Sequence, residues 1–481
     1  MEVHVNLVGR TDLSGEIYRQ LRRAIVERRL RPGDQLPSTR ELARLLSVSR
    51  TTVTVAYTRL WSEGFVTSQT GAGTFVSRHA ATGRRRVPRR TRLTSPLRPQ
   101  PVWESIPLSS AFARSAEFDF RTGIPDVSLF PFESWRRLMV RQFQKSAIGS
   151  GVYGSPAGHL GLREAIARHI ALSRGVLAST EDIVITNGTQ QALDIVGRDL
   201  LARGDVVAVE DSGYRPPRFL FESLGLRVRG VAVDQHGLVV DQLPSTARLV
   251  YVTPSHQYPL GMSMSLGRRL ALLEWAEHHS AAILEDDYDS EFCFGGRPIE
   301  SLQSLDVMRS RVVYVGSFSK TLLPALRLGF LVAPPALRDA VERAKYLTDW
   351  HAPLPMQAAL ATFIEEGLFA RHLREMISTY RARHDTLTSI LARDFAAYLD
   401  VIPSSAGLHV SATARSLSRE QFGTVLGAIN EAGIALQPLS AFPFDHEPPL
   451  GLVLGYGAIG VAQIEEGLHR MRECFATGRS A

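Results

Sequence analysis

The sequence predicts an α/β chain in two unequal parts: a small helical head closed by a β-hairpin, and a large body built on a mostly parallel sheet with helices on both faces. Three observations carry that expectation. The 481 residues are 44% hydrophobic and 21% charged, a globular composition on a chain too long for one ordinary core. The charge is divided unevenly: residues 1–100 hold 19 Arg and no Lys against 7 acidic residues, so this front part carries +12 while the remaining 381 residues carry −5. The hydrophobic period is helical at the front and gives way, farther on, to short apolar runs separated by amphipathic stretches.

In the head, Ile17, Leu21, Ala24 and Ile25 recur at helical spacing between Ser14 and Arg29, and Arg31-Pro32-Gly33-Asp34 stops that helix. A second short helix starts after Pro37 with Ser38 as its N-cap and runs through Leu42, Leu45 and Leu46. A third follows the turn Ser47-Val48-Ser49. It buries Val53, Ala56, Tyr57 and Leu60 and leaves Arg50, Thr51, Thr52 and Thr54 on its other face. Phe65 to Val76 alternates around Gly71-Ala72-Gly73, as two strands joined by a turn do. The order is that of a winged helix-turn-helix. Short polar side chains beside one Arg let a helix lie deep in the major groove of double-stranded DNA, so Ser49, Arg50, Thr51, Thr52 and Thr54 are candidate contacts on a recognition helix from Arg50 to Glu63. Arg40 and the backbone of Gly71 and Gly73 are candidate phosphate contacts, and the Arg excess suits counterion release. Arg59 reads either as a DNA contact or as a solvated side chain.

From 79 to 115 the periodicity is lost. Arg84-Arg85-Arg86-Val87-Pro88-Arg89-Arg90 with Pro96, Pro99 and Pro101 makes a basic, proline-interrupted spacer between a head at 11–78 and a body at 116–478. In the body, Ile183-Val184-Ile185, Val206 to Val209, Leu249 to Val252, Ile283-Leu284, Val312 to Val315 and Phe330 to Val332 read as buried strands, with helices such as Gln190 to Ala202 and Arg268 to His278 between them.

In such a sheet ligands gather where strands end and helices begin. Gly188, Thr189 and Gln190 open a helix there and their amides suit a phosphate. Asp286 and Tyr288 share one strand face, where a carboxylate and a phenol suit a heteroaromatic ring, while Asp287 and Asp289 read as an acidic strand end facing solvent. Lys320 follows a strand, where lowered pKa suits it to a Schiff base, and Ser317 and Arg327 bracket it with phosphate-binding groups. Cys293 and Cys474 are too few for a disulfide framework or a cysteine-based zinc site, and no metal is expected. No stretch approaches the roughly 18 apolar residues of a membrane span, and the N-terminus lacks a secretory pattern, so a cytoplasmic protein is expected.

Leu36 to Ala43, Val48 to Val53 and Gly71 to Val76 resemble the GntR family of winged-helix repressors over about 65 residues, with Thr54 where that family often has an Arg. The body resembles the fold-type I pyridoxal-5′-phosphate enzymes of the aspartate aminotransferase superfamily, through the motifs above and through Val152 to Gly158, Glu210 to Tyr214 and Thr253 to Pro259. The whole, about residues 13 to 475, is similar to the MocR/GabR-type transcriptional regulators. That resemblance implies a smaller C-terminal α+β subdomain, a domain-swapped homodimer and a pyridoxal 5′-phosphate cofactor. It makes Lys320 the Schiff-base lysine, pairs Asp286 with the pyridine nitrogen and Tyr288 with the ring hydroxyl, stacks Tyr214 on the ring, and places His256 near it. Gly188, Thr189, Gln190, Ser317 and Arg327 would bind the phosphate, with Tyr153 from the neighbouring subunit. Amino-acid-handling relatives carry an Arg in the last strand where this chain has Val453. The resemblance therefore implies a sensor of a small amino compound or of pyridoxal phosphate itself, with Arg215 or Arg218 as candidate effector contacts; the rival is an active aminotransferase with a DNA anchor.

Overall fold

The computed structural model describes residues 5, 12–69, 72–78, 98–108, 116–148, 151–295, 300–442 and 445–478. Gly71, the Arg84–Arg90 run and most of the expected spacer lie outside the described residues. The chain divides into two compact units, Met1–Arg98 and Pro99–Ala481.

The first unit orders its elements as α1 (Leu13–Val26), β1 (Gln35–Leu36), α2 (Thr39–Leu45), α3 (Arg50–Ser62), β2 (Val66–Gln69) and β3 (Gly73–Val76). Apolar positions at helical spacing decide which faces pack: Ile17, Leu21, Leu42, Val53 and Leu60 are buried in one cluster with Val66 and Val76. Ser38 and Ser49 cap α2 and α3 by accepting from the N–H of Glu41 and Thr52. The two-residue β1 pairs antiparallel with β3, so the wing is a three-stranded sheet in the order β1-β3-β2. Two residues carry no hydrophobic period, so β1 has no signature in the sequence beyond the stop of the first helix at Arg31-Pro32-Gly33-Asp34.

The second unit is built on an eight-stranded sheet in the order Ile183–Thr186, Gly329–Val332, Val312–Ser317, Ala282–Asp287, Ala247–Val252, Val206–Asp211, Arg227–Asp234 and Gly237–Leu238. Gly329–Val332 and the edge strand Gly237–Leu238 run antiparallel to their neighbours and the other pairings are parallel. Both faces are buried, as strict alternation shows. Val207, Val209, Leu249, Tyr251, Val313 and Val315 pack on one side with the helix Thr189–Leu200. On the other side Val206, Ala208, Val250 and Val252 meet the helix Leu266–His278.

A smaller antiparallel sheet, Leu399–Val401, His409–Ala414, Gly451–Gly455 and Gln437–Pro438, turns Val410, Ala412, Leu452 and Leu454 onto the helices Leu368–Asp394, Arg419–Glu431 and Val461–Gly478. Its other face carries His409, Ser411 and Val453, and the first two reach the carbonyl of Pro259. Within the expected spacer, Val102–Ser105 forms a short helix that touches the helix Arg215–Ser223. Among the described residues, no helix is long and apolar enough to cross a membrane.

Candidate functional site

The candidate residues collect along one edge of the large sheet, at the carboxyl ends of its parallel strands and the entry to Gly329–Val332. Asp286 is the penultimate residue of Ala282–Asp287 and is buried. Its Oδ2 accepts from Tyr251 Oη at 2.8 Å, whereas Oδ1 is buried with no partner. Burial raises this carboxyl to about 7, helped by Asp287 and Asp289 and opposed by the Tyr251 hydrogen bond and Lys320. Lys320 lies in the turn after Val312–Ser317, half-buried, and its Nζ donates to the carbonyl of Gly123 at 2.7 Å. Gly123 holds φ +78°, a conformation that favours glycine, and a Cβ there would stand 3.4 Å from that Nζ. Burial pushes the Lys320 ammonium below its ordinary value, against the pull of Asp289 and Asp286, and Arg327 adds to the lowering.

An anion cradle lies beside them. Gly188, Thr189 and Gln190 stand at the start of the 12-residue helix Thr189–Leu200, where backbone N–H groups have no intrahelical acceptor. Gly188 adopts φ +76°, and a Cβ on it would come within 2.9–3.2 Å of the Arg327 guanidinium. Arg327 is exposed, itself at φ 52°, and donates to the Asn187 carbonyl at 2.9 Å. Ser317 is half-buried and accepts from the N–H of Ser319.

Tyr288 Oη donates to the His256 carbonyl at 3.0 Å and lies 3.1 Å from His256 Nδ1. His256 is buried, with Nδ1 3.1–3.2 Å from both carboxylate oxygens of Asp289 and Nε2 without a partner. Its ring centroid is 4.4 Å from that of His409. Donor atoms of His256, Asp289 and His409 lie within 4.8 Å of one another, close enough to share a cation, although His256 Nδ1 and His409 Nε2 already have partners inside the chain. Tyr214 is 38% exposed and meets Tyr258 edge-on at 5.7 Å.

Two expectations about acidic residues are corrected. Asp287 does not face solvent: it is buried, 3.1 Å from Arg174 Nε, and accepts from Tyr314 Oη at 2.6 Å. Asp289 is buried against His256. Their partners lie elsewhere in the chain, Arg174 at the end of the helix Leu160–Arg174, Tyr314 on the neighbouring strand and His256 on another loop, which alternation within one strand cannot report. Other residues stand apart from the pocket's polar core. Tyr153 is 71% exposed and stacks on Trp350 at 4.3 Å. Arg215 is exposed, lies over Phe219 and donates to the Ala441 carbonyl; Arg218 is held by Glu222 at 2.9 Å and Asp445 at 3.3 Å.

In the first unit, Arg40, Ser49, Arg50, Thr51, Thr54 and Gly73 are exposed and Thr52 is half-buried. Ser49 Oγ and Thr52 Oγ1 are 2.7 Å apart, Arg50 Nε is 3.4 Å from Thr39 Oγ1, and Thr54 Oγ1 donates back to the Arg50 carbonyl at 2.9 Å. Arg59 lies 4.0 Å over the Tyr18 ring and pairs with Glu63, which fixes it within the fold.

Residues 13–76 match the family described as bacterial regulatory proteins, gntR family, and residues 118–451 match aminotransferase class I and II. The probable rhizopine catabolism regulatory protein MocR of Rhizobium meliloti is 37% identical over 96% of this chain and 93% of its own length. The HTH-type transcriptional regulator TauR of Rhodobacter capsulatus is 33% identical over 96% of each. The body alone, 76% of the chain, is similar to 93% of the crystallised α-aminoadipate aminotransferase LysN of Thermus thermophilus, complexed with N-(5′-phosphopyridoxyl)-L-leucine, at 28% identity and a TM-score of 0.67. The chain belongs to the gntR-family transcriptional regulators with an aminotransferase class I and II body.

In this gntR-family regulator, several residues of the site escaped the sequence reading: Thr122, Gly123, Tyr251, Tyr258, His409 and Gln437. Only strand order reveals Tyr251, since it sits opposite Leu284 on the neighbouring strand, one face-repeat before Asp286. Thr122 and Gln437 meet across 315 residues of chain, which no local period encodes.

Proposed function

We propose that the body holds pyridoxal 5′-phosphate, that a small amino compound or the cofactor itself is the signal, and that this signal controls binding of the head to double-stranded promoter DNA. The observation that carries the reading is Asp286 Oδ1, a buried carboxylate oxygen with no partner, in the same pocket as a lysine of lowered pKa and an open helix N-terminus. A buried acceptor left unpaired is costly, and a protonated ring nitrogen is the partner it lacks. When bound, the cofactor supplies an aldehyde for which Lys320 and an amine effector compete.

The residues divide the work by chemistry. Lys320 offers Nζ as the amine, steadied by Gly123, and its lowered pKa favours the neutral, nucleophilic form. Asp286, oriented by Tyr251, keeps a proton on the ring nitrogen. Tyr288, set by His256, which Asp289 holds in turn, would reach the ring hydroxyl, and Tyr214 would cover the ring face. Gly188, Thr189, Gln190, Ser317 and Arg327 take the phosphate. Tyr153, displayed on Trp350, serves the phosphate of a second copy in a homodimer. On the head, Arg50, Thr51 and Thr52, with the capping residue Ser49, enter the major groove, while Arg40 and Gly73 hold phosphates.

The test is the absorbance of full-length protein incubated with pyridoxal phosphate and then desalted. Wild type retains a band near the visible; Lys320→Ala loses it while still shifting DNA taken from beside its own gene. A colourless wild type rejects the cofactor, and equal affinity for that DNA and a scrambled duplex rejects the regulatory reading.

A further inference from the structure

The wall that the smaller sheet presents to the pocket carries a second set of hydrogen-bonding groups. Ser411, Val453 and Gln437 lie side by side on neighbouring strands, and His409 shares their face two residues before Ser411. Gln437 Oε1 accepts from Thr122 N at 3.2 Å and from Thr122 Oγ1 at 2.5 Å. With its hydrogen so committed, Thr122 Oγ1 accepts from Tyr258 Oη at 2.7 Å. This chain of hydroxyls borders the lysine directly, because Thr122 precedes Gly123, whose carbonyl holds Lys320 Nζ. The Tyr258 ring also meets Tyr214, Tyr288 and His409 edge-on at 5.7, 6.1 and 5.4 Å.

Every group on this wall is neutral. Tyr258 is raised above the ordinary phenol by burial, and His409 is held well below the ordinary imidazole by burial and by His256. Val453 is fully buried in an apolar cluster with Leu260, Leu439 and Phe442. The arginines nearest in sequence or contact already have acceptors: Arg121 on Asp119, Arg383 on Asp126 and the Gly457 carbonyl, Arg218 on Glu222 and Asp445, and the exposed Arg215 on the Ala441 carbonyl. Arg327 belongs to the cradle at Gly188. A carboxylate placed against this wall would shed its hydration and find no cation in return. Hydroxyl groups fare better, since Gln437 Nε2 can donate and His409 Nδ1, with Nε2 committed to Pro259, can accept.

We infer that the effector of this pocket is a primary amine that bears hydroxyl groups where an amino acid bears its carboxylate, an amino alcohol read by Gln437 and His409. This rests on the cofactor reading above, because the amine is recognised through Lys320's aldehyde partner.

A matched pair separates charge from size. Full-length protein loaded with pyridoxal phosphate is titrated with serinol (2-amino-1,3-propanediol) and with L-serine, which differ by one hydroxymethyl group in place of the carboxylate. The change of the cofactor band and the thermal unfolding midpoint are both followed. Serinol is expected to act at a concentration at least about tenfold lower than serine, because a buried unpaired charge costs more than a paired hydroxyl. Gln437→Leu should shrink that preference several-fold. Serine equal to or better than serinol overturns the inference, as does a loaded protein whose band answers to neither amine. Those outcomes leave the cofactor reading standing. A protein that never acquires the band overturns both together.

Discussion

On the head, Arg50, Thr51 and Thr54 stand exposed on one face of α3 while Val53, Ala56 and Leu60 of the same helix fill a core; in the body, Asp286, His256 and Asp289 are buried and bonded mainly to one another and to neighbouring side chains. The contrast has an energetic consequence. Groups on an exposed face can be exchanged with small effect on folding, so their loss is read in DNA affinity alone. Buried polar groups without full partners weigh on the unliganded fold, so whatever satisfies them stabilises the protein as it binds. The body is therefore suited to sensing by stability and the head to reading by contact.

The largest expected effect tests the buried half of that contrast. Burial raises Asp286, Glu210 and Glu285 to about 7. A carboxyl raised on folding keeps its proton in the native state after the unfolded chain has released it. The stability it contributes is present below the unfolded value near 4 and is lost as pH rises through about 7, at on the order of 1.4 kcal/mol per pKa unit. Cofactor-free protein should accordingly lose thermal stability between about pH 4 and about pH 7, and Asp286→Asn should flatten part of that slope while weakening retention of pyridoxal phosphate. A wild-type stability that climbs over this range would show that these carboxyls are ionised and well served in the free fold.

The exposed half is broken by Arg50→Ala. Loss of an Arg contact to a base edge costs roughly 1–3 kcal/mol, so affinity for the cognate DNA should fall by about fivefold to 150-fold while the unfolding midpoint and the cofactor band stay unchanged. Parallel loss of DNA affinity and midpoint would mean that Arg50 supports α3 through Thr39 rather than reading DNA.

The same contrast governs how much of the molecule was legible in its sequence. The head's helices and wing follow from local periods and caps, and only the two-residue β1 escaped. In the body, six apolar runs were found because both faces of those strands are buried. Arg227–Asp234 was missed because it mixes exposed Arg227 and Arg229 with buried Val228 and Val231 near the sheet edge. Asp286, Tyr288 and Lys320 were visible through motifs at strand ends. Their supports, Tyr251, Thr122, Tyr258 and His409, were invisible because each acts across a strand or domain boundary. Asp289 was misjudged for the same reason: its partner His256 is 33 residues away on another loop.

The smallest effects sharpen what each short polar side chain of α3 does. Ser49→Ala removes the acceptor that holds the N–H of Thr52 at 3.1 Å, and the head's unfolding should be destabilised by about 1 kcal/mol. Thr54 is different in kind. Its hydroxyl donates to the Arg50 carbonyl one turn back, a bond that contributes little to a helix, so Thr54→Val should move stability by less than about 0.5 kcal/mol. If that hydroxyl remains turned into the helix on DNA, cognate affinity should change by less than about twofold, whereas Thr51→Val, whose side chain is exposed one residue after Arg50, should weaken it more. A larger loss at Thr54 than at Thr51 would show that the hydroxyl leaves the helix to meet a base, and would move the reading face of α3 by one turn.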